Sequence, residues 1–596
     1  MNLTKEQENK FKKLGINSIL ELALLIPHSY EDLQLATTLQ SGLAQTIDAT
    51  ISGVYRSANS IQITFFAHNF GHAIQGVVFR PKPYMLHQFQ VGARDFYYGQ
   101  IECKNGNCTM TMPKKVTKVG AVVAKYKTAL RTDVMARLVK ELVTLENLIN
   151  EGLKVEIAED ILALHFSNHP KKELSDDSLY ALKYTELYSY MKQLSLKRRY
   201  FKSISSTCND YMPWIKTLPF TLTQEQIKAI KDIKQDFTKD VAAKRMIVGD
   251  VGSGKTMVIL ASAVMIYPLR SILMAPTTIL ANQLYEEAVK FMPHAKIVLV
   301  TNKTKKGDLS DFDFIIGTHA LLFRDLPPAA LVMVDEQHRF GTKQRNSLEK
   351  LVSEGERRPH YLQFSATPIP RTLAMIETAH IDVSLITTTP FTKNITSSVI
   401  GKNDFKDLLI HIKQELEKNN QVLLVYPLVE QSDFLGYQSI EEARGYWEKH
   451  FSDVYVTHGK DKEKEQVLLD FREMGKILIA TTVVEVGISL PRLTTVVIVG
   501  AERLGLSTLH QLRGRVSRTG LEGFCYLFTN LEKSDRLEQF VKTKSGFDIA
   551  NLDLKFRKSG DLLRGIVQSG SAFTWVDMAE DNVIVAKVKE DLNLGM

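Results

Sequence analysis

Hydrophobic and polar positions change rhythm several times along the chain. Leu14 to Leu33 (LGINSILELALLIPHSYEDL) reads as a short helix ending before Pro27. From about Gln45 to Lys115 apolar and polar residues alternate between turns. Five strands are predicted there: DATISGVYRS, SIQITFFAHN, HAIQGVVFR, ARDFYYGQIEC and CTMTMPK. Asn105-Gly106 between the last two is a hairpin signal, because both residues tolerate the positive φ of a two-residue turn. Five short strands with glycine-containing turns suit a small barrel of the oligonucleotide-binding type, and a small β-sandwich would leave the same trace. Residues 120–210 turn helical and basic, with Lys125, Lys127, Arg131, Arg137 and Lys140 early and Lys197, Arg198, Arg199 and Lys202 late. From about Pro219 short apolar runs (RMIVGD, SILMAPTT, DFIIGTHA, LVMVDE, YLQFSATP) alternate with amphipathic segments, the mark of a parallel sheet with crossover helices. After the polar stretch TTTPFTKN (387–394) the alternation resumes in QVLLVYP, SDVYVTH, KILIATT, TTVVIVG and GFCYLFT. Two α/β domains in tandem are predicted.

Composition narrows the classes. At 596 residues there is room for about four domains. A net charge of +8, from 75 Lys+Arg against 67 Asp+Glu, excludes a uniformly cationic protein and suits contact with nucleic acid at selected places. With 44% hydrophobic and 24% charged residues the chain is globular, not disordered. Four cysteines exclude a disulfide-stapled secreted scaffold. Cys103 and Cys108 form a lone C-x₄-C without further ligands at zinc spacing, so they read as strand residues, and Cys208 and Cys525 as packing. The N-terminus is charged from Lys5, unlike a signal peptide. The longest near-continuous apolar run, Val258 to Tyr267, is about half of the ~20 residues that a membrane helix needs. A soluble, cytoplasmic protein with no membrane partner is expected.

Gly249-Asp250-Val251-Gly252-Ser253-Gly254-Lys255-Thr256 fits G-x-x-x-x-G-K-[ST] between a predicted strand and a predicted helix. Glycines let consecutive N–H groups wrap phosphates, and the helix start adds positive potential. Lys255 supplies a point charge to the β/γ-phosphates, and Thr256 a hydroxyl for Mg²⁺. A nucleoside triphosphate with Mg²⁺ is therefore the expected ligand. Such a loop needs acidic groups at the end of a neighbouring strand, and LVMVDEQHRFG offers them: Asp335 for Mg²⁺ and Glu336 to orient or deprotonate the attacking water.

These strings resemble superfamily 2 helicases, and among them the RecG family of branched-DNA helicases. DEQHRFG is closer to RecG and the transcription-repair coupling factor than to DEAD-box proteins. FTLTQEQ (220–226), MAPTTILANQL (274–284), IIGTHAL (315–321), FSATPIPRTLA (364–374), VYPLVE (425–430), ATTVVEVGISLP (480–491) and AERLGLSTLHQLRGRVSR (501–518) follow in the family's order over some 300 residues. The resemblance implies that Phe220 and Gln226 serve the nucleotide, Gln226 reading the adenine edge. It implies that Thr277, Thr278, Thr318 and His319 meet the DNA backbone, that Ser365 and Thr367 couple nucleotide state to movement, and that His338 couples sites. Gln511, Arg515 and Arg518 match the last helicase motif, whose arginines reach the γ-phosphoryl group from the second lobe. Ser517 stands where the family usually has glycine.

SGFDIANLDLKFRKSGDLLRGIVQSG (545–570) resembles the family's translocation motif, with Arg557 and Gln568 in its characteristic places for DNA. It departs in lacking the glycine and proline expected within Arg557-Lys558-Ser559-Gly560-Asp561, which leaves the geometry of the expected 557–565 loop open. The five-strand region resembles the RecG wedge, through PHSYEDL (27–33) and VVFRPKPYMLHQFQVG (77–92). Phe79 and Tyr84 are candidates for stacking on bases beside Arg80 and Lys82, with Phe65, Phe66, Phe96, Tyr97 and Tyr98 competing for the role.

The expected architecture is an N-terminal helical segment (1–44), an OB-fold wedge (45–118), a helical connector (119–211), RecA-like lobe 1 (212–390), RecA-like lobe 2 (391–540) and a C-terminal helical-hairpin translocation motif and tail (541–596). The expected function is an ATP-dependent DNA helicase or translocase, a monomer acting on forks and three- and four-way junctions, with single-strand DNA-binding protein as a partner. The alternative is a transcription-repair coupling translocase, whose extra modules this chain has no room for.

Overall fold

Period-2 alternation, interrupted by register shifts at Ile51/Gly53 and Tyr98/Gln100, runs along the strands of a sheet that closes on itself. In the computed structural model, strand β1 is Ser29–Asp32, β2 Leu43–Arg56, β3 Ser60–Ala67, β4 His72–Phe79, β5 Arg94–Lys104, β6 Asn107–Val116 and β7 Val122–Lys125. The structure describes residues 3–592 except 58, 83–84, 86–87, 118, 168–172, 367–369, 392–393, 428–436, 483–489, 518–519, 565–572 and 579; the side chains of 338, 342–343, 345–346, 371 and 557–564 are also left out of the description. Two compact units are distinguished: Met1–Tyr190 with Phe573–Val576, and Met191–Ala572 with Asp577–Met596.

In the first unit the five predicted strands form a closed barrel in the order β2-β3-β4-β6-β5. All pairings are antiparallel except β4 with β6, where Gln75 faces Thr109 in parallel register. This is an oligonucleotide-binding barrel, not a sandwich. On β3, Ile61, Ile63, Phe65 and Ala67 point inward, as the two-residue period requires. Tyr97 packs against Phe65 at 4.7 Å between ring centroids and against Phe89 at 6.0 Å. Phe65 and Tyr97 are therefore core, which removes two of the competing base-stacking candidates. Cys103 and Cys108 are strand residues as expected, but they are also joined by a disulfide. Asn105 (φ 50°) and Gly106 (φ 80°) make the tight turn that sets the two cysteines directly opposite, with 4.0 Å between Cα atoms.

The short helix predicted before Pro27 is Ile19–Ala23; a further helix that the pattern did not predict, Lys5–Leu14, precedes it and ends where Gly15 adopts φ 72°. The chain then forms β1, which pairs antiparallel with β7. The connector is helical, as expected, over Thr132–Leu142, Leu145–Asn150, Val155–Phe166 and Asp176–Leu196. His165 is buried there. Its Nε2 faces the Ala23 carbonyl at 2.8 Å, which only accepts, so Nδ1 accepts from the Tyr126 hydroxyl at 2.9 Å. Burial pushes this imidazole down to about 4, against the pull of the Ala23 carbonyl. The unfolded chain then binds the extra proton below about 6.5, so stability is full above that value and falls as pH drops towards 4. We expect a loss of about 3 kcal/mol across that window in urea unfolding of this unit, abolished in His165→Gln. An unchanged pH slope in the variant would contradict the assignment.

The second unit holds two parallel sheets. Lobe 1 comprises β8 (Lys244–Gly249), β9 (Ser271–Met274), β10 (Ile297–Val300), β11 (Phe314–Gly317), β12 (Leu331–Val334), β13 (His360–Ser365) and β14 (Asp382–Ile386), in the order β10-β11-β9-β12-β13-β8-β14. Lobe 2 comprises β15 (Ile395–Ile400), β16 (Gln421–Val425), β17 (Val454–Thr457), β18 (Ile477–Ala480), β19 (Leu493–Val499) and β20 (Gly523–Phe528), in the order β15-β20-β19-β16-β18-β17. The ten predicted runs are all strands. The three that the pattern missed, β10, β14 and β15, are sheet edges, where one side lacks a neighbour and the apolar run is short or mixed with serine and threonine.

Near the C-terminus, residues 557–561 lie within the helix Gly546–Arg564 rather than in the expected loop, since Lys558-Ser559 carries neither the glycine nor the proline that would break it. Among the described residues no helix is long and apolar enough to cross a membrane.

Candidate nucleotide site and nucleic-acid interface

The phosphate loop joins β8 to the buried helix Lys255–Ile266. Gly254 sits at φ 74°, and a Cβ there would overlap Nε2 of Gln226. Gln226 uses both ends of its amide: Oε1 accepts from the Thr223 N–H at 2.7 Å, and Nε2 donates to the carbonyls of Ser253 at 2.8 Å and Gly254 at 3.3 Å. It thus fastens the helix Gln224–Phe237 to the loop, and reading an adenine requires it to give up some of these bonds. Phe220, half exposed, meets Phe291 edge-on at 6.1 Å, just upstream of that helix. Lys255 Nζ donates to the carbonyls of Gly249 at 2.9 Å and Asp250 at 3.2 Å, holding its charge against the loop. Gly252 contributes a second positive φ, 78°. The Ser253 hydroxyl is buried without a partner in the loop, and Thr256 occupies the first helical turn.

Asp335 follows β12, on the same carboxyl edge of the sheet as the loop. Burial, and then the charge of Glu336, pushes its carboxyl up to about 7, with Lys255 pulling it down. A buried carboxylate short of positive charge fits a divalent cation, and so does the hard-oxygen chemistry of Thr256 and Asp335. Among the described residues no cluster of three or more His, Cys, Asp or Glu could hold a metal unaided, so triphosphate oxygens would have to complete the shell. Glu336 adopts the left-handed region (φ 49°, ψ 51°), a strained backbone of the kind that gathers at functional sites. Its Oε2 accepts from the Ala366 N–H at 3.2 Å, which ties the acidic pair to the residue after Ser365. Thr367, like Arg518, Tyr84, Gln568 and the side chains of His338 and Arg557, lies outside the described residues.

The lobes meet at the loop's second residue. Asp250 Oδ1 receives Nε2 of His510 at 2.6 Å and its neighbour's N–H, that of Val251, at 2.6 Å; Oδ2 receives the Gly546 N–H at 2.9 Å. Burial alone would raise this carboxyl, but His510 and the two backbone N–H groups hold it far below the usual carboxylate range. Arg513 donates to His510 Nδ1 at 3.0 Å and to the carbonyls of Phe540 and Lys544, each at 3.2 Å. Because a guanidinium only donates, His510 carries its hydrogen on Nε2 and donates to Asp250. A Cβ on Gly514 would lie 2.7 Å from Val251 Cγ1, so only glycine allows this approach of the Leu506–Arg513 helix end to the loop. Gln511 and Arg515, both buried, sit on this same stretch. The resemblance had marked Asp250 only as a phosphate-loop residue. His510, Arg513 and Gly546 lie within the strings 501–518 and 545–570, but nothing there assigns them to Asp250, since a pairing across 260 positions has no local trace.

Glu225, also unmarked, accepts from the backbone and hydroxyl of Thr388 at 2.7 and 3.0 Å and from the Thr387 hydroxyl at 2.7 Å, at the start of the polar stretch that separates the two sheets. Ser517 occupies φ 61°, buried, with its hydroxyl unpartnered. The family's glycine is what this backbone asks for. Ser517→Gly should raise stability by about 1–2 kcal/mol in urea unfolding, relieving a left-handed serine and an orphaned hydroxyl against the added chain entropy of glycine. A lower midpoint would count against the strain.

The DNA candidates of lobe 1 share one edge. Thr277 caps the helix Thr278–Phe291 after β9, and Thr318 caps a short turn beginning at His319 after β11. These strands are neighbours, so both pairs of residues stand side by side, with β12 and β13 between them and β8, which carries the nucleotide loop. His319 is exposed, whereas Thr318 is buried. On the barrel, Phe79 ends β4 with 56% of its surface exposed, followed by exposed Arg80 at φ 49° and exposed Lys82. Phe66 is also exposed, and Phe96 and Tyr98 are half-buried. At the C-terminus, Asp553 of the Gly546–Arg564 helix accepts from the Leu506 N–H at 3.4 Å, joining that helix to the one that carries Gln511.

Comparison with known proteins matches this layout. Residues 223–376 fit the DEAD/DEAH box helicase family and residues 403–520 the helicase conserved C-terminal domain. The chain is 44% identical to the ATP-dependent DNA helicase RecG of Helicobacter pylori strain 26695, over 98% of this chain and 97% of that protein. It is 31% identical to the RecG of Aquifex aeolicus, over 95% and 80%. A solved structure of RecG bound to a three-way DNA junction superposes with a TM-score of 0.57 at 26% identity, covering 98% of this chain and 84% of that one.

Proposed function

Because the chain belongs to the RecG family of ATP-dependent DNA helicases, we propose that its cleft is an ATP-driven clamp in which lobe closure moves DNA while the barrel supplies the branch-point contact. The chain is an ATP-hydrolysing helicase that acts on branched DNA, in repair and recombination. The transcription-repair coupling alternative is not favoured, as relatives named RecG match nearly the whole chain.

One observation carries the clamp: a carboxylate inside the phosphate loop is gripped by the lobe 2 helix that bears Gln511, with Arg515 just beyond it. Triphosphate enters between Lys255 and the last-motif arginines. Lys255 leaves the Gly249 and Asp250 carbonyls for the β/γ-phosphates, and Glu336 orients the water through the strain of its backbone and its bond from Ala366. Thr256 and Asp335 would hold Mg²⁺, which neutralises phosphate charge when bound. Arg515 and Arg518 meet the developing charge on the transferring group, and hydrolysis removes the reason for closure. Thr277, Thr278 and His319 grip the DNA backbone, with buried Thr318 capping the turn that presents His319; such contacts carry no sequence information, so preference for a branch resides in the barrel, at Phe79, Tyr84 and Arg80. Arg557 and Gln568 transmit lobe movement to the duplex. The domain limits set out from the sequence, a monomeric state, a cytoplasmic location beside the chromosome, and a handover with single-strand DNA-binding protein at four-way junctions and forks complete this reading.

The test is ATP turnover with forked, linear duplex and single-stranded DNA. Forked DNA should stimulate most, and Phe79→Ala with Arg80→Ala should remove that preference while leaving turnover on linear duplex. Equal stimulation by linear duplex in the parent protein would refute the wedge role.

A further inference from the structure

A second concave surface lies on lobe 1, away from the nucleotide. All strands of this sheet run parallel, so the phosphate loop and Asp335 sit at their carboxyl ends, while Lys244, His360 and Asp382 begin β8, β13 and β14 at the opposite edge. A cleft of about 1020 Å³ opens there. Its lining includes eight lysines and arginines against three acidic residues. Asp236 is taken by Arg245 at 2.6 Å and Lys239 at 3.3 Å, and Asp382 by Arg198 at 2.7 Å. Lys197, Arg199, Lys244 and Lys350 make no ion pair with any described residue, although all four are exposed.

The rings at the mouth are the second observation. Tyr200 is 67% exposed and Phe201 is exposed beside it. The Arg198 guanidinium lies 5.5 Å from the Tyr200 ring and that of Arg358 lies 5.3 Å from Phe201, which holds both platforms against cations. A further hollow of about 840 Å³ continues past Tyr200, Phe201 and Arg358, so the surface is a trough rather than a pit. Burial chiefly holds the His380 imidazole in its wall below the ordinary value, with Glu377 opposing and Lys244, Lys197 and Arg198 adding to the fall.

We propose that this trough binds single-stranded DNA, with phosphates on Lys197, Arg199, Lys244 and Lys350 and a base stacked on Tyr200. Unpaired cations along a groove with an exposed aromatic platform are the combination that tracks one strand without reading its sequence. A duplex keeps its base faces stacked on one another and would leave the exposed Tyr200 platform idle. An acidic peptide would satisfy the cations but leave the Tyr200 platform idle. For a helicase the natural occupant is a strand released by unwinding, and only that last step rests on the function proposed above.

The full-length protein tests it. Lys197→Ala, Arg199→Ala, Lys244→Ala and Lys350→Ala combined should weaken binding of a fluorescent oligothymidylate of about 20 nucleotides by more than tenfold. The same change should make the salt dependence shallower by about 2–3 in log–log slope, at ~0.7 per lost phosphate contact. Tyr200→Ala alone should weaken it by about 5- to 150-fold, the worth of one stacked base. ATP turnover stimulated by linear duplex should stay at the parent level, which separates loss of this surface from failure of the motor. Unchanged affinity and slope in both variants would overturn the proposal. So would unchanged oligonucleotide binding together with lost binding of a polyglutamate peptide, which would make the trough a peptide site.

Discussion

Glu336→Gln leaves ATP bound and lowers kcat for DNA-stimulated hydrolysis by about 10²–10⁴-fold, the usual worth of a positioned general base. The glutamine keeps the shape of the side chain and an oxygen for the Ala366 N–H, so the loop after β12 retains its left-handed turn. What it removes is the negative charge that, in the proposed role, would draw a proton from the attacking water, an effect confined to the transition state. KM for ATP should therefore move little while kcat falls, the split expected when a residue acts on chemistry and not on binding. Single-turnover hydrolysis with forked DNA measures this, and a kcat within about threefold of the parent would remove Glu336 from the base's role.

Breaking the contact between the lobes should have the next largest effect. Asp250→Asn keeps one acceptor oxygen where three donors converge, so either His510 Nε2–H or the Gly546 N–H is left facing an amide NH₂. Each hydrogen bond to a charged group is worth about 1.5–3 kcal/mol, so kcat/KM should fall by roughly 10- to 100-fold through loss of the closed state. Because Asp250 also belongs to the phosphate loop, the partner variant is essential. His510→Ala should cause a similar loss from the other lobe, and the double variant should be no worse than the worse single one, a coupling of about 1.5 kcal/mol or more. Strictly additive losses would show that the two residues act separately. The pH dependence carries a sign. A carboxyl held below its ordinary value supports the closed form at every pH above about 3.9 and gives up that support only as pH falls through its lowered value. The coupling should thus be flat between about pH 5 and 9, and the Arg513 bond, which leaves His510 with its hydrogen on Nε2, works in the same direction.

Much of this architecture is local and therefore legible. Ile61, Ile63, Phe65 and Ala67 announce a half-buried strand by spacing alone, and Gly249 to Thr256 announces a phosphate loop because its chemistry fits within eight consecutive residues. The motif order from Phe220 to Arg518 carries the resemblance to the family, and with it the reaction and the nucleotide. Edge strands such as Ile395–Ile400 escaped because a strand with one neighbour needs no long apolar run, and the Lys5–Leu14 helix because its charged residues hide a single buried face at Phe11.

What the sequence by itself determined is thus every feature encoded by neighbours: the barrel's five strands, the two parallel sheets, the phosphate loop, the acidic pair and the family they compose. Only the tertiary structure decided which groups meet. It chose barrel over sandwich through the parallel β4–β6 pairing, buried Phe65 and Tyr97 while leaving Phe79 at the surface, and set Cys103 against Cys108. It brought His510 and Gly546 to Asp250 and gathered unpaired cations around Tyr200. The reason is physical. Periodicity and turn chemistry act over a few residues, whereas burial, hydrogen bonding and charge depend on atoms that only the completed fold brings within a few ångströms.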